Sequence, residues 1–384
     1  MVFQPAHPLL GRDELRRLYP DQMTVNSADE HDLDLDLGAA IDRLGRRVHT
    51  TPLLHSRLLD QRVGARVWLK AENFQRAGSF KSRGAFNAVL VGLERGDSRG
   101  VAALSSGNHG QAVALATSEL GVSSVVVMSE TSSKVKISAV RDYGAEVISR
   151  GVHLGNREQI ARALAAERDL RLIHPHDDPD VISGQATVGF EMASQLRAQG
   201  VESPLVLVPV GGGGLISGVV LALRRWLPGA QVVGVEPEAS NDGQLSLAAG
   251  TRVELEGAPV TVADGAATAR LGRLCWEIIS TEVDEIVTVS DPQIGAACWW
   301  LWSRCKLVVE PTGALSVAAA LWSLGGRGDR AGRNHSTPPT EIVCILSGGN
   351  CEPNQIAKLV RTAKDAESVA APGPRTGAEL PGTD

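Results

Sequence analysis

Short apolar runs alternate with longer segments of helical periodicity along most of the chain. Eight runs are rich in Val, Ile and Leu, and several are apolar at every position, which predicts strands buried on both faces of a parallel sheet. These runs cover residues 65–72, 101–106, 123–129, 145–150, 170–175, 204–210, 231–237 and 341–349. Helical patterns cover residues 82–96, 111–121, 133–144, 156–169, 183–200 and 215–226. The alternation predicts an α/β fold, doubly wound, with right-handed crossovers between parallel strands.

Composition narrows the possible class of protein. The 384 residues carry 38 basic and 44 acidic side chains, so the net charge of −6 gives no reason to expect a nucleic-acid partner. No apolar run reaches the ~18–20 residues of a membrane span. The five cysteines form no CxxC pair, which argues against a zinc knuckle or a disulfide framework. We therefore expect a cytoplasmic enzyme that acts on a small molecule.

The two ends of the chain depart from the alternating pattern. Residues 1–36 are acidic and weakly periodic, and we predict a loosely attached N-terminal extension there. Residues 366–384 combine Pro, Gly and small polar residues, which is typical of a disordered tail.

Lys81 lies in a glycine-bounded turn, between Gly78 and Gly84, and begins a predicted helix. The N-terminus of a helix disfavours a cation, so an ammonium group is electrostatically awkward at this position. One resolution is a lysine that is held partly neutral or is covalently engaged as a Schiff base. The other is a lysine whose side chain reaches solvent at the start of the helix.

Three further polar or glycine-rich turns follow predicted strands. The turn Ser105-Ser106-Gly107-Asn108-His109 could hold a carboxylate on its backbone N–H groups, or could only cap the next helix. Four consecutive glycines, Gly211, Gly212, Gly213 and Gly214, stand between a strand and a helix and favour phosphate binding over a flexible loop. Ser347, at the end of the last strand, either faces a ligand or caps a helix.

In this order and spacing, these features resemble those of the fold-type II pyridoxal-phosphate enzymes, the tryptophan synthase β-like superfamily. The similarity is greatest to the serine/threonine dehydratase and serine racemase branch. It runs through TPLLHS (51–56), GSFKSRGAFNA (78–88), SSGNHGQAVA (105–114), SKVKISAVRDYGAEV (133–147), LIHPHDD (172–178), VPVGGGGLISG (208–218), GVEPE (234–238), VADGAA (262–267), VEPTGA (309–314) and SGGN (347–350).

The resemblance implies a role for each motif. Lys81 would bind pyridoxal 5′-phosphate as a Schiff base and move the Cα proton of the substrate, with Phe80 against the pyridine ring. Asn108 would hydrogen-bond the 3′-oxygen of the cofactor, and Ser347 would meet its ring nitrogen. The other implied contacts are with the cofactor phosphate, made by Gly211, Gly212, Gly213 and Gly214, and with the substrate carboxylate, made by Ser105, Ser106, Gly107 and His109.

The resemblance also implies two parallel-sheet domains with the cofactor in the cleft between them. The large domain would comprise residues 37–98 and 178–365, and the small domain residues 99–177. Family members commonly self-associate, so we expect a homodimer.

Glu236, Ser240 and Asp242 suggest a divalent-cation site. Two carboxylates six residues apart, with a backbone carbonyl between them, supply the hard oxygen ligands that Mg²⁺ or Ca²⁺ prefers. The pattern also resembles the cation site of serine racemase and its dehydratase relatives.

The implied activity is that of an ammonia-lyase that converts L-threonine or L-serine to the 2-oxo acid and ammonia. One alternative is a serine racemase, in which Ser106 would be the second acid–base group. Another is a dehydratase for a different β-hydroxy amino acid, such as 3-hydroxyaspartate. A catalytically dead cofactor- or phosphate-binding protein would lack the combination of Lys81, Asn108, the four glycines and Ser347.

Overall fold

A computed structural model of the chain describes residues 35–105, 107–153, 155–323, 339–352, 354, 355 and 359. The predicted tail, nearly all of the predicted N-terminal extension, and Ser106 lie outside these residues. The structure therefore bears on the part of the chain that carries most of the predicted site.

Ten strands and twelve α-helices make up the described part of the chain. The strands are β1 (Leu53–His55), β2 (Arg66–Ala71), β3 (Val101–Leu104), β4 (Ser124–Val127), β5 (Glu146–Ile148), β6 (Arg171–Ile173), β7 (Leu205–Pro209), β8 (Gln231–Pro237), β9 (Glu285–Val289) and β10 (Glu341–Leu346). The helices are α1 (Leu37–Leu44), α2 (Arg57–Val63), α3 (Lys81–Glu94), α4 (Asn108–Leu120), α5 (Lys134–Asp142), α6 (Arg157–Glu167), α7 (Pro179–Arg197), α8 (Gly214–Trp226), α9 (Asp242–Ala249), α10 (Arg273–Glu282), α11 (Asp291–Trp300) and α12 (Pro311–Ala318).

The strands form two sheets. The larger sheet has the order β1-β2-β10-β7-β8-β9, and the smaller sheet has the order β5-β4-β3-β6. Every strand pair is parallel except β1 with β2, which is antiparallel. Parallel strands place their carboxyl ends at one edge of a sheet, where an open α/β fold binds its ligands.

The predicted α/β class with parallel sheets is confirmed. All eight predicted strands and all six predicted helices are present, with ends that shift by a few residues. Two strands were missed: β1 has only three residues, and β9 is an edge strand with an incompletely buried pattern. All four strands of the smaller sheet lie within residues 99–177, and the domain boundaries stay a prediction.

No helix in the described part of the chain is long and apolar enough to span a membrane. The five cysteines are all unpaired, and four of them are buried.

Helices α3 and α7 pack in close contact behind the turn that carries Lys81. A Cβ atom at Gly184 would lie 2.6 Å from the carbonyl oxygen of Arg83 and 2.6 Å from the Cα of Gly84. Only glycine permits this approach of the two backbones. The contact fixes the start of α3 against α7.

A fully buried ion network joins the same two helices to β2. Arg83 donates to Glu72 through Nε (2.8 Å) and to Glu191 through Nη1 (2.7 Å). Lys70 donates to Glu191 at 2.8 Å and to the carbonyl oxygen of Thr51 at 2.9 Å. Burial lowers the pKa of Lys70 although both carboxylates attract its charge. Two positive and two negative side chains therefore compensate one another in the interior.

Replacing Arg83 with Met should strongly destabilise the fold. The variant leaves Glu72 and Glu191 buried with only the charge of Lys70, and an uncompensated buried charge costs about 3–5 kcal/mol. Chemical denaturation measures the free energy of unfolding. The matched control, Arg273→Met, removes an exposed pair with Glu277 and should cost about 0–1 kcal/mol. Equal losses in the two variants would contradict a stabilising role for the buried network.

Candidate active site

Lys81 is the first residue of α3, and it is half-buried. Its Nζ donates to the carbonyl oxygen of Pro175 at 2.6 Å and lies 5.0 Å from the centroid of the Phe80 ring. Burial lowers the pKa of Lys81 to about 8, so a sizeable fraction of the amine is neutral near physiological pH. A neutral amine is a nucleophile, whereas a lysine that extends into solvent keeps its ordinary pKa and is charged.

The turn before Lys81 is held by the end of β10. Phe80 N–H donates to the carbonyl oxygen of Ser347 at 3.1 Å, and Gly349 N–H donates to that of Gly78 at 2.9 Å. Ser79 and Gly348 form an antiparallel bridge between these bonds. Ser347, which is 2% exposed, is thereby fixed beside the residue that precedes Lys81.

The loop after β6 supplies the carbonyl group that accepts from Lys81. Asp177 in this loop caps α10 by accepting from the N–H groups of Arg273 (3.0 Å) and Leu274 (2.8 Å). Cys275 Sγ donates to the carbonyl oxygen of His176 at 3.4 Å. The loop therefore follows a strand of the smaller sheet but is anchored on a helix that packs with the larger one.

The four glycines form the turn between β7 and α8, and the loop after β6 lies directly against them. A Cβ at Gly212 would collide with the His176 ring, and one at Gly214 would lie 2.9 Å from His176 Cα. Gly213 has φ +96°, and a Cβ there would lie 2.7 Å from that of Cys275. These positions exclude side chains, and the turn opens helix α8, so its backbone can approach and bind an anion.

Asn108 begins α4, directly after β3 of the smaller sheet. Its Nδ2 donates to Glu310 Oε1 at 2.6 Å, and its Oδ1 accepts from Asn350 Nδ2 at 2.8 Å. Burial, together with the charge of Asp264, raises the pKa of Glu310 to about 8. Glu310 and Asn350 belong to segments next to the larger sheet, so this contact joins the two sheets across the cleft.

The predicted substrate turn is described in part. Ser105 Oγ accepts from Gly107 N–H at 3.0 Å. The ring of His109 is buried, with Nε2 3.1 Å from the carbonyl oxygen of Ile173. Burial, and next the charge of Lys81, lowers the pKa of His109 to about 3. A neutral ring brings no positive charge to a substrate carboxylate, and the roles of these residues stay predictions.

These residues fit pyridoxal phosphate. A partly neutral, half-buried lysine suits its aldehyde, and a glycine turn at a helix N-terminus suits its phosphate. Ser347 is next to Phe80, where the resemblance places the pyridine ring. Lys81, Asn108, the four glycines and Ser347 all follow carboxyl ends of parallel strands.

The predicted cation residues form a second buried cluster. Glu236 accepts from the N–H groups of Gly243 and Gln244, each at 2.9 Å. Both carboxylate oxygens of Asp242 are buried, and neither has a hydrogen-bond partner in another residue of the described chain. Burial raises the pKa of Asp242 to about 7, and burial together with Asp242 raises that of Glu236 to about 8. Two carboxyl groups in this state fit a divalent cation.

Ser240 connects the two clusters. Its Oγ lies 2.8 Å from the carbonyl oxygen of Ala266 and 2.7 Å from that of Thr268, so its single hydrogen is shared between these two acceptors, and Ala266 packs against Gly211. No group of three His, Cys, Asp or Glu side chains suited to a metal occurs among the described residues, so a cation here would need backbone oxygens as well.

Three residues that contact the site had no role in the sequence analysis. Glu310, Asn350 and His176 each stand inside a quoted motif, but none had been assigned a function. For Glu310 the available signal was a carboxylate between apolar residues and a proline, at the start of a buried helix.

Comparison with known proteins gives consistent results. Residues 45–348 match the family described as pyridoxal-phosphate dependent enzyme. The L-threo-3-hydroxyaspartate ammonia-lyase of Saccharomyces cerevisiae is 42% identical over 87% of this chain and 98% of its own. The serine racemase of Schizosaccharomyces pombe is 38% identical over 85% of this chain and 96% of its own. The solved threonine deaminase of T.th. is 47% identical, with a TM-score of 0.76 over 82% of this chain and 97% of that one.

The stability conferred by Mg²⁺ or Ca²⁺ should increase with pH. The folded-state pKa values of Glu236 and Asp242, about 8 and about 7, lie above their ordinary values. Without a cation, their contribution is therefore fully present at low pH and is lost as the pH rises through 7 to 8. A cation replaces these protons, so adding Mg²⁺ or Ca²⁺ should raise the melting temperature more at pH 8.5 than at pH 6. A stabilisation of ~1 kcal/mol raises the melting temperature by a few degrees.

Asp242→Asn should abolish the rise in melting temperature on addition of the cation, whereas Glu254→Gln, at an exposed carboxylate, should retain this rise. An unchanged response in Asp242→Asn would place the cation elsewhere.

Proposed function

This chain belongs to the family of pyridoxal-phosphate dependent enzymes, and from that membership we propose that it is an ammonia-lyase for a β-hydroxy amino acid. The reaction is an α,β-elimination that releases the 2-oxo acid and ammonia. The observation that carries the proposal is Lys81, whose pKa is lowered and whose Nζ donates to the carbonyl oxygen of Pro175. Pro175 precedes His176, which packs against Gly212 and Gly214, the glycines that we propose bind the cofactor phosphate.

Bound at this site, pyridoxal phosphate supplies an electron-withdrawing ring that stabilises negative charge at the substrate Cα. Lys81 would hold the cofactor until the substrate amine displaces it. Once displaced, Lys81 Nζ would take the proton from Cα, and a lowered pKa favours the neutral amine that this role requires. The β-hydroxyl group would leave as water with a proton from Lys81 Nζ, and the released enamine would tautomerise and hydrolyse to the 2-oxo acid and ammonia.

Ser347 supports elimination. A neutral hydroxyl group at the position proposed for the ring nitrogen does not protonate it as a carboxylic acid would. The ring then withdraws electrons less strongly, which favours rapid departure of the β-hydroxyl group over a long-lived carbanion. The fixed place of Ser347, with its carbonyl oxygen 3.1 Å from Phe80 N, is consistent with this role.

The side chain of the substrate distinguishes two candidates within the same reaction. Threonine or serine needs only a small polar pocket, whereas 3-hydroxyaspartate brings a second carboxylate that requires a cation. We propose Arg157, the first residue of α6, as this cation, because its charge acts on His109 and His176. A guanidinium group pairs well with a carboxylate, which supports 3-hydroxyaspartate as the second candidate substrate.

A serine racemase uses the same lysine chemistry but returns a proton to the opposite face of Cα. Ser106, the predicted second acid–base group, lies outside the described residues. Assays for both 2-oxo acid and D-amino acid separate these two activities.

We also propose a homodimer, as the resemblance implies, and a cytoplasmic location, as expected from the composition. Light scattering of the purified protein gives the mass directly. A value near the 40.5 kDa of one chain would contradict the dimer.

Lys81→Ala should abolish 2-oxo acid release while the fold is retained, because no other amine is proposed to move the Cα proton. The absorbance of the purified protein near ~410 nm, and its loss on borohydride treatment, should also disappear in this variant. Lys134→Ala, at an exposed lysine of α5, is the matched control and should behave as the wild type. Residual turnover in Lys81→Ala would show that the lysine assignment is wrong.

Arg157→Gln should raise the KM for 3-hydroxyaspartate about 10- to 100-fold and leave the KM values for serine and threonine nearly unchanged. The expected size follows from the loss of one charge-assisted hydrogen bond. Arg162→Gln, at an exposed position of the same helix, controls for general effects on α6. A parallel change for all three substrates would argue against selection of the second carboxylate by Arg157.

A further inference from the structure

A chain of hydrogen bonds crosses the cleft through two asparagines and one glutamate. Asn350 Nδ2 donates to the carbonyl oxygen of Ala77 at 2.7 Å and to Asn108 Oδ1 at 2.8 Å. Asn108 Nδ2 then donates to Glu310 Oε1 at 2.6 Å. The partners of Asn108 lie 202 and 242 residues away along the chain, so the arrangement exists only in the folded protein.

This chain determines which way the Asn108 amide faces. The carbonyl oxygen of Ala77 can only accept, so the Asn350 atom beside it must be the nitrogen. That nitrogen directs its second hydrogen at Asn108, whose facing atom must therefore be the oxygen. The Asn108 nitrogen lies on the other side, toward Glu310. The opposite orientation would bring two NH₂ groups together and leave a buried donor unsatisfied.

Glu310, which accepts from the Asn108 nitrogen, is held in a fixed position. Its backbone N–H donates to the carbonyl oxygen of Gly348 at 3.1 Å, and a Cβ at Gly348 would collide with its carboxyl group. The side chain is nearly fully buried and precedes Pro311, the first residue of α12. The acceptor for Asn108 therefore has a fixed position.

We propose that Glu310 and Asn350 are positioning residues that orient the Asn108 amide toward the 3′-oxygen of the cofactor. An amide nitrogen carries two hydrogens: Glu310 engages one, and the other is available to the cofactor. This inference rests on the proposed function, because pyridoxal phosphate supplies the 3′-oxygen. Neither residue needs to touch the cofactor, since each acts through Asn108.

The absorption spectrum of the bound cofactor tests the proposal independently of turnover. A hydrogen bond to the 3′-oxygen alters the electron distribution of the ring, so Asn108→Ala should shift the absorption maximum of the full-length, cofactor-loaded protein. Glu310→Ala and Asn350→Ala should shift it in the same direction. Each should also weaken cofactor binding about 3- to 10-fold, as expected for the loss of one hydrogen bond.

Double variants separate positioning from a general structural effect. In the Asn108→Ala background, adding Glu310→Ala or Asn350→Ala should cause no further spectral shift, because the group that they orient is absent. Asn87→Ala is the matched control: this buried asparagine donates to the carbonyl oxygen of Asp180 at 2.6 Å, outside the chain of bonds. It should lower stability without shifting the absorption maximum.

Glu310→Gln tests the chemistry of the acceptor and guards against misfolding of the alanine variant. Its amide oxygen can replace Oε1, so the absorption maximum and the cofactor affinity should remain close to those of the wild type. A full spectral shift in Glu310→Gln would overturn the proposed acceptor role. Wild-type spectra in both Glu310→Ala and Asn350→Ala, or additive shifts in the double variants, would overturn the proposal as a whole.

Failure of the proposed function gives a different result. In that case the wild-type protein would bind no pyridoxal phosphate, and no absorption band would be present in any variant. If the band is present in the wild type and only the Glu310 and Asn350 variants behave otherwise than expected, the positioning inference alone is wrong.

Discussion

The guanidinium group of Arg83 is fixed in the protein interior by two carboxylates, and it lies two residues after Lys81 on the same helix. A buried charge must be compensated where it stands, so Arg83 cannot move without breaking contacts with Glu72 and Glu191. Those two residues belong to the segment after β2 and to α7. The position of Lys81 is therefore set by electrostatic compensation behind it, while the side chain itself stays uncharged for part of the time.

The reactive side of the cleft is built differently. Here backbone groups predominate: Pro175 accepts from Lys81, Ser347 accepts from Phe80, and the glycine turn leaves no room for side chains. His109 is held neutral by burial. A site with few fixed charges suits a cofactor that brings its own phosphate and ring, because the protein's part is then to place those groups and exclude water.

Site residues that are recognisable from neighbouring residues in the sequence were predicted, whereas those defined by contacts between distant segments were not. Lys81 and the four glycines could be singled out because a lysine at a helix start and a glycine run after a strand are unusual local patterns, and the family resemblance then supplied their predicted roles. The contact of Glu310 with Asn108 could not be predicted in this way, because the two residues are 202 positions apart along the chain. The same limit applied to the fold: the continuously apolar strands were confirmed, whereas β9, at an edge and half exposed, was missed. The spacing of Glu236 and Asp242 likewise did not reveal that both are buried, which raises their pKa values.

The pairing of β2 with β10 has a consequence for the growing chain on the ribosome. The smaller sheet uses strands that are close in sequence, and its last strand ends at Ile173. β2, which precedes Lys81, pairs with β1 but lacks its other neighbour until Glu341–Leu346 has been synthesised. The smaller sheet can thus form before the larger one, because contacts between segments that are distant in sequence cost more loop-closure entropy. The turn before Lys81 is held by Ser347 and Gly349, which follow β10, so the surroundings that lower the pKa of Lys81 are complete only after that strand has been added.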